Sequence, residues 1–222
     1  SNWEGEKGME LKNRIRRMCK YGNDIDEVDR YVVLVADMFA KEAAKYTPWR
    51  GGKFGVSLQG LTANVPEGET VGATPDGRKS RDMLNYGLDP LYGDAHQGLG
   101  FRTLSAFKLP YEKMNGGYAS HFGIDPKYFT SESYEGKGLD FKKRVIAPLF
   151  FNEAKEGVSP FYLYVNVTTA EILRKVLENP KKYAPSGVYI MRIHGTFVNF
   201  LDLSPAIQKD IITRLDPAST SM

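Results

Sequence analysis

The last third of the chain switches between strand and helix periodicity, and this switching limits the folds that the chain can adopt. Residues Phe161–Val167 are rich in aromatic and β-branched side chains and predict a strand. Thr168 and Glu171 have the spacing of a capping box, which predicts that a helix starts there. Val188–Ile193 is a second predicted strand. A strand, a helix and a strand in this order predict a parallel βαβ unit with a right-handed crossover, and therefore an α/β fold.

The residues after this unit continue the alternation. Asn179-Pro180 is predicted to end the crossover helix, because the residue before a proline avoids the helical region. The segment Phe197–Leu203, which follows Gly195, is apolar. Ser204 is a predicted N-cap, with a proline at the first position of the final helix.

The N-terminal part of the chain predicts two helices. The first has apolar residues at helical spacing and is predicted to end near Tyr21-Gly22-Asn23. The second has Asp24 as its predicted N-cap and ends before Thr47-Pro48. The apolar stripe predicted to form its packing face consists of Val28, Tyr31, Val35, Met38 and Phe39. Residues 51–115 are rich in turn-forming clusters, which is typical of ordered loops that serve function or assembly, and residues 128–140 predict a surface insertion.

The composition excludes several classes of protein. The chain has 222 residues, with 30 Lys and Arg against 27 Asp and Glu, so its formal net charge is +3. This balance, without a basic run, argues against binding to nucleic acid or to an anionic membrane. Cys19 is the single cysteine, so no internal disulfide is possible and a reducing compartment is expected. The longest apolar run, Tyr31–Ala40, is too short to span a bilayer, and we therefore expect a cytoplasmic protein.

A glycine between two apolar segments is the candidate catalytic residue. It lies in the sequence Arg192-Ile193-His194-Gly195-Thr196-Phe197. Within this window alone, the glycine is typical of a turn that needs a positive φ. Its interpretation changes because further motifs surround it in a fixed order.

These motifs run from one end of the chain to the other. The C-terminal ones are Asn179-Pro180-Lys181-Lys182-Tyr183 and Leu203-Ser204-Pro205-Ala206-Ile207-Gln208-Lys209-Asp210-Ile211-Ile212-Thr213-Arg214. The upstream ones are Asn2-Trp3-Glu4-Gly5, Lys20-Tyr21-Gly22-Asn23-Asp24, Arg50-Gly51-Gly52 and Ala73-Thr74-Pro75-Asp76-Gly77-Arg78. In this order they resemble the motifs of the pyruvate formate-lyase-like glycyl radical enzymes. Each motif alone is weak, but several independent motifs in the same order make coincidence a poor explanation.

The resemblance implies a fold and a cofactor. The chain is expected to be the C-terminal portion of the family's ten-stranded α/β barrel, with residues 1–158 in the barrel domain and residues 159–222 forming the glycyl radical domain. The latter would end in the βαβ unit, the radical loop and a terminal helix. The cofactor implied by the family is a protein-derived radical on the backbone of Gly195. Glycine suits it because a Cβ would clash with the neighbouring peptides when the radical centre flattens.

The resemblance also implies partners. In this family a cysteine on a facing loop gives its hydrogen to the glycyl radical, and the resulting thiyl radical takes hydrogen from the substrate. That cysteine precedes the Asn-x-Glu-Gly element, so it is expected on a missing N-terminal part or a partner subunit. Cys19 is expected to be a small packing residue. A radical-SAM activating enzyme with an iron–sulfur cluster would install the radical, no metal is expected in this chain, and an oligomer is expected.

Three functions follow from the resemblance and stay open. The first is the radical-bearing part of an anaerobic lyase, dehydratase, decarboxylase or C–C-bond-forming synthase. The second is a non-catalytic spare part that replaces a damaged glycyl radical domain, and the third is a structural subunit whose glycine is never activated. Two departures from the family pattern, Thr196 after the glycine and Tyr162-Leu163-Tyr164 in the preceding strand, indicate a divergent subfamily.

Leu58 and Gly60 are candidate substrate-binding residues. They lie in a segment that resembles the pocket-lining strand of the family, and strand periodicity places them on the same face. Packing in the core is an equally good interpretation of the pair.

The remaining polar candidates have structural interpretations that are stronger than the catalytic ones. The three histidines, His96, His121 and His194, lack the spacing of metal ligands, although His194 adjoins Gly195. Asp76 and Arg78 lie in a Pro-Asp-Gly-Arg turn and are predicted to form an internal ion pair that holds this loop.

Overall fold

The computed structural model describes residues 2–60, 62–90, 95–114, 116–151, 161–193 and 195–215. The chain has an α/β fold. Its α-helices are α1 (Gly5–Arg16), α2 (Asp26–Ala43), α3 (Asn64–Thr70), α4 (Leu99–Phe107), α5 (Tyr134–Phe141), α6 (Ala147–Phe150), α7 (Ala170–Glu178), α8 (Pro180–Tyr183) and α9 (Pro205–Leu215). Its strands are β1 (Ser57–Leu58), β2 (Gly117–Gly123), β3 (Phe161–Asn166), β4 (Ile190–Ile193) and β5 (Thr196–Asn199).

A parallel sheet lies at the centre of the described chain. Its order is β1-β2-β3, and the register places Gly123 of β2 opposite Asn166 of β3. Every residue of β2 between its two terminal glycines is buried, as expected for a central strand that is covered on both faces. The sheet therefore delivers side chains from β2 and β3 into the interior.

The apolar residues pack into two clusters. The first surrounds β2 and includes Tyr118, Phe122 and Leu149, with Leu163 and Val165 of β3 packed against it. The second is formed by the C-terminal elements and consists of Leu173, Val176, Ala184, Met191, Phe200 and Ile211. The domain boundary expected between residues 158 and 159 lies outside the described residues and stays a prediction.

The predicted βαβ unit is wrong in its strand pairing. β3 and α7 form where the sequence predicts them, but β4 pairs antiparallel with β5 instead of parallel with β3. Ile193 is opposite Thr196 in this pair, so the chain reverses its direction at Gly195. β5 pairs with one edge of β4, and the two strands form a hairpin beside the parallel sheet.

Two predicted helix caps lie close to the observed ones without coinciding with them. α2 has Ile25 as its N-cap residue, whereas Asp24 has a φ of 56° and donates its backbone N–H to Ser105 Oγ at 2.8 Å. α7 is capped by Thr169, whose hydroxyl accepts from the Ile172 N–H at 3.2 Å. Ser204 does cap α9 as predicted, with a 3.4 Å bond from the Ile207 N–H.

The predicted packing stripe of α2 is largely exposed. Relative exposure is 58% for Tyr31, 66% for Val35 and 63% for Phe39, whereas Ala36 and Ala40 on another face are buried. The helix therefore packs its small residues against the first cluster and presents its large ones outwards. Within the described ranges, no helix combines the length and the apolar content that crossing a bilayer requires.

Candidate functional site

The β4–β5 hairpin presents Gly195 at the point where the chain reverses. Gly195 has a φ of 83°, a conformation that costs little only for glycine. A Cβ built on it would lie 2.7 Å from the hydroxyl oxygen of Tyr162. The backbone conformation thus favours glycine, and a Cβ would also require the Tyr162 side chain to shift. His194 lies outside the described residues.

The side-chain amide of Asn166 joins the end of β3 to β4. Asn166 Nδ2 donates to the carbonyl oxygen of Arg192 at 3.0 Å, and the Arg192 N–H donates to Asn166 Oδ1 at 3.0 Å. An amide side chain thereby makes the pair of bonds that a neighbouring strand would make. The contact lies three residues before Gly195, so it holds the base of the hairpin.

A buried polar cluster lies behind Asn166. His121 Nε2 of β2 is 2.9 Å from Asn166 Nδ2. The backbone N–H of His121 donates to Asp89 Oδ2 at 3.0 Å, and its carbonyl accepts from Arg102 at 3.0 Å. Asp89 also accepts from the hydroxyl groups of Tyr118 and Ser120. Because these groups are buried and bonded to one another, they hold His121 in place.

Two tyrosines of β3 face the hairpin side of the sheet. The rings of Tyr162 and Tyr164 meet edge to face with centroids 4.7 Å apart. Desolvation, with smaller contributions from the negative charge and hydrogen bond of Tyr162, raises the pKa of Tyr164 to about 12. Tyr164 lines a small pocket together with Tyr86, His121 and Arg192. Tyr164 is therefore a neutral phenol at physiological pH.

The terminal helix closes the other side of this pocket. Arg214 of α9 forms an ion pair with Asp210 at 2.8 Å and lies over the ring of Tyr86, 4.2 Å from its centroid. Asp210 in turn accepts from Asn64 Nδ2 of α3 at 3.1 Å. These buried polar contacts attach the C-terminal elements to the body of the chain.

The other sequence candidates lie apart from this hairpin or serve the scaffold. Leu58 packs against the first cluster, and a Cβ on Gly60 would lie 2.9 Å from the backbone nitrogen of Gly87. Cys19, which was expected to pack inside, is exposed, because α1 ends at Arg16 and the thiol follows it on the surface. The role of Leu58 and Gly60 in substrate binding stays a prediction.

The Pro-Asp-Gly-Arg turn is held by hydrogen bonds other than the predicted ion pair between Asp76 and Arg78. The Arg78 side chain is buried and donates to Thr74 Oγ1 at 3.2 Å and to the Lys79 carbonyl at 3.1 Å. Asp76 accepts from the backbone N–H of Arg78 at 3.1 Å. The guanidinium therefore holds the loop through neutral acceptors, and the predicted ion pair with Asp76 is replaced by a backbone contact.

Sequence reasoning did not select Asn166 as a site residue. The feature that could have identified Asn166 is its position at the carboxyl end of a buried parallel strand, where functional polar groups concentrate in α/β folds. Tyr162 was noticed as a departure from a family pattern, and the structure places its hydroxyl beside Gly195. In the described parts of the chain, no three His, Cys, Asp or Glu side chains are grouped to hold a metal ion.

Comparisons with known proteins place these features in context. The pyruvate formate lyase-like family model matches residues 1–68. A structure that describes 1,2-propanediol dehydration in Roseburia inulinivorans is 29% identical, with a TM-score of 0.78 over 95% of this chain and 25% of that one. The B12-independent glycerol dehydratase from Clostridium butyricum is 30% identical, with a TM-score of 0.74 over 95% of this chain and 25% of that one. A glycyl radical enzyme from Archaeoglobus fulgidus is 27% identical, with a TM-score of 0.73 over 93% and 25%. The chain thus spans about a quarter of the length of the structures it matches.

Proposed function

The chain matches a fragment of the glycyl radical enzymes, and from this premise we propose that it is the radical-bearing part of such an enzyme, with the radical on the α-carbon of Gly195. In the proposed reaction, a cysteine thiol gives its hydrogen atom to the Gly195 radical. The glycine C–H bond forms again and a thiyl radical remains. The thiyl radical then takes a hydrogen atom from the substrate. Gly195 therefore starts the reaction, and the cysteine is the residue that reacts with the substrate.

The observation that carries the proposal is the position of Gly195 at the reversal of the β4–β5 hairpin. A backbone α-carbon radical is stabilised because the unpaired electron spreads onto the adjacent amide nitrogen and carbonyl. This spreading needs a planar carbon without a side chain. Gly195 has a φ of 83°, and a Cβ there would lie 2.7 Å from the Tyr162 hydroxyl oxygen, which would have to shift. It also lies between two of the family-like motifs, the one that ends at Tyr183 and the one that begins at Leu203.

The cysteine of the relay is proposed to come from another polypeptide segment. Cys19 is the single cysteine of the chain, and it is exposed after the end of α1. The proposed relay needs a thiol beside Gly195, whereas Cys19 lies on the surface after α1. We therefore propose a partner, either an N-terminal part or a separate subunit, that carries the cysteine loop.

The exposed apolar face of α2 supports such a partner. Tyr31, Leu34, Val35, Met38 and Phe39 of this helix are all more than half exposed. Contiguous apolar surface of this kind marks interaction sites in soluble proteins. Because the matched structures are about four times as long as this chain, a larger body is available in those proteins to cover the corresponding face.

Dehydration is the reaction class that the matched structures favour. Two of them are described by the dehydration of 1,2-propanediol and of glycerol. We propose by analogy that the complete enzyme eliminates water from a small hydroxylated substrate. The identity of that substrate depends on groups supplied by the partner.

The proposal is tested by electron paramagnetic resonance under anaerobic conditions. The chain is incubated with its cognate radical-SAM activating enzyme, S-adenosylmethionine and a reductant. A doublet from the remaining α-hydrogen of Gly195 is expected, and Gly195→Ala is expected to give none. A doublet that persists in Gly195→Ala would assign the radical to another residue.

Exposure to air gives a second readout. Oxygen adds to a backbone α-carbon radical, and the chain is then expected to break at Gly195. Mass spectrometry should find a fragment that ends near this residue in the activated protein and not in the untreated protein. An activated protein that stays intact in air would contradict the assignment. A wild-type chain that never gives a doublet would favour the structural-subunit alternative.

A further inference from the structure

We propose that Asn166 and His121 form a clamp that positions the radical hairpin, an inference that rests on the proposed function of Gly195. The clamp consists of the Asn166 amide, the backbone of Arg192 and the Nε2 atom of His121. Asn166 and His121 are positioning residues in this proposal, since they act on Gly195 through the backbone of β4.

At its base, the hairpin is held by the packing of Met191 in the second apolar cluster and by polar contacts of β4. One edge of β4 is bonded to β5, and the register places Arg192 opposite Phe197. The other edge faces β3, where the two 3.0 Å bonds of Asn166 replace a strand ladder. Phe197 of β5 is 70% exposed, so packing on that side adds little restraint. Asn166 therefore supplies a polar restraint that joins this edge of β4, and with it Gly195, to the parallel sheet.

His121 reinforces the orientation of the Asn166 amide that the Arg192 backbone sets. An amide nitrogen carries two hydrogens, and the Arg192 carbonyl accepts one of them. The second is directed at His121 Nε2 at 2.9 Å, which requires a lone pair on that nitrogen. In the flipped orientation, Asn166 would turn its oxygen towards the Arg192 carbonyl and its nitrogen towards the Arg192 N–H. The Arg192 backbone therefore selects the bonded orientation, and an acceptor nitrogen on His121 adds a third hydrogen bond to it.

The anchor behind the histidine is rigid. His121 lies on the central strand β2 and is 6% exposed. Its backbone is bonded on both sides, by Asp89 at its N–H and by Arg102 at its carbonyl. Restraint thus passes from the buried Asp89 cluster through His121 and Asn166 to the hairpin. Hydrogen-atom transfer is sensitive to the placement of the reacting atoms at the level of about 1 Å, so this restraint bears on catalysis.

The clamp is tested with four proteins: wild type, Asn166→Leu, His121→Leu and His121→Gln. Leucine at either position removes the hydrogen bonds while keeping side-chain bulk. Glutamine at position 121 supplies an acceptor oxygen close to the place of Nε2 and is the matched control. Amide hydrogen–deuterium exchange is followed in the full chain by mass spectrometry, with peptides from β2 and α9 as internal references.

We expect the hairpin amides of residues 192, 193 and 196 to exchange about tenfold faster or more in both leucine variants, because lost hydrogen bonds lower the free energy of local opening. The reference peptides should change little, and His121→Gln should stay within about threefold of wild type. Unchanged hairpin exchange in both leucine variants would overturn the clamp. So would a His121→Gln protein that behaves like His121→Leu.

The same proteins are then activated and studied by electron paramagnetic resonance. The splitting of the glycyl doublet depends on the geometry around the α-carbon, so a loosened hairpin should give broader lines than wild type and His121→Gln. Leucine variants with wild-type line shape would contradict a positioning role. A wild-type protein without a doublet would refute the proposed function, whereas the exchange data would still decide whether the clamp exists.

Discussion

At the scale of single residues, the backbone of Gly195 makes a prediction that does not depend on activation. Gly195→Ala is expected to destabilise the chain by about 1–2 kcal/mol, because alanine at a φ of 83° is strained and its Cβ would approach the Tyr162 hydroxyl. Urea denaturation followed by circular dichroism measures the change.

Gly138→Ala is the matched control for that substitution. Gly138 lies inside α5, and a Cβ built there has no atom within 4 Å. Alanine should therefore stabilise the helix by about 0.5–1 kcal/mol. Equal and favourable changes in both variants would show that the turn at Gly195 does not require glycine.

Asp89 is the residue whose loss should cost the most stability. Its carboxylate is 1% exposed, accepts from Tyr118, Ser120 and the His121 N–H, and lies 3.5 Å from Arg102. Asp89→Asn is expected to cost about 3 kcal/mol, because it turns an N–H group towards donors and leaves the buried Arg102 charge without a carboxylate partner.

The exposed pair of Glu171 and Lys175 supplies the control for Asp89. Glu171→Gln removes an ion pair whose two side chains are largely in solvent, so the unfolding midpoint should hardly move. If Asp89→Asn is equally harmless, the buried cluster contributes little to stability, and the restraint that it places on His121 is in doubt.

Residue types and their order were enough to propose Gly195 as the candidate site, because its signal lies in a local motif and in the order of the motifs around it. The cap of α7 shows what such patterns miss. Thr168 and Thr169 both have suitable spacing, but the Thr168 hydroxyl bonds to the Tyr189 hydroxyl at 2.8 Å, which leaves Thr169 to cap the helix. The contact of Asn166 with Arg192 joins residues 26 positions apart, and local patterns hold no information on such contacts.

At the scale of elements, α2 shows the limit of periodicity. The sequence correctly predicted an amphipathic helix near these residues, but a stripe of apolar residues does not say which neighbour covers it. The described chain packs against Ala36, Ala40 and the buried Asp29, which accepts from Lys108 at 2.8 Å. A similar ambiguity affected β4, because strand propensity does not distinguish pairing with β3 from pairing with β5.

The two faces of α2 should respond differently to substitution. Val35→Lys combined with Phe39→Lys is expected to leave the melting temperature nearly unchanged, since both side chains are exposed. The same change should reduce self-association in sedimentation velocity, because it breaks an apolar surface. Ala36→Leu, on the buried face, should instead cost about 1–3 kcal/mol through overpacking.

An α2 double-lysine variant that unfolds would place Val35 and Phe39 in the core of the isolated chain. A variant that folds and still binds its cysteine-bearing partner would contradict the proposed docking role of this face. Calorimetry detects unfolding of the variant, and co-purification with that partner detects retained binding.

At the scale of the whole molecule, the two apolar clusters are joined largely by polar contacts. Asn64 bonds to Asp210, Asn166 bonds to Arg192, and Arg214 lies over Tyr86. The fold class could be predicted from the sequence because strand and helix signals are local. The way in which the C-terminal elements attach could not, since it depends on side chains brought together from distant segments.

Buried tyrosines in this interior predict sensitivity of the whole fold to alkaline pH. Desolvation raises the pKa of Tyr118 well above its usual value of 10.0, and the charge of Asp89 adds to the effect. Desolvation also raises the pKa of Tyr164 to about 12. Because the folded state holds these phenols neutral while the unfolded chain ionises them near pH 10, their contribution to stability is complete below pH 10. It is lost as the pH rises through the folded values, which for Tyr164 means between pH 10 and about 12.

We therefore expect the urea midpoint to be insensitive to these tyrosines below pH 10 and to fall steadily above it. Absorbance at the tyrosinate band should rise in a slow phase that coincides with loss of helical circular dichroism, since buried phenols ionise as the chain opens. Tyr164→Phe should make the decline less steep, because one group no longer favours the ionised unfolded state. Full ionisation of the tyrosines with the circular dichroism intact would show that water reaches this interior without unfolding, and the buried cluster behind the Gly195 hairpin would then not be the rigid anchor that its hydrogen bonds indicate.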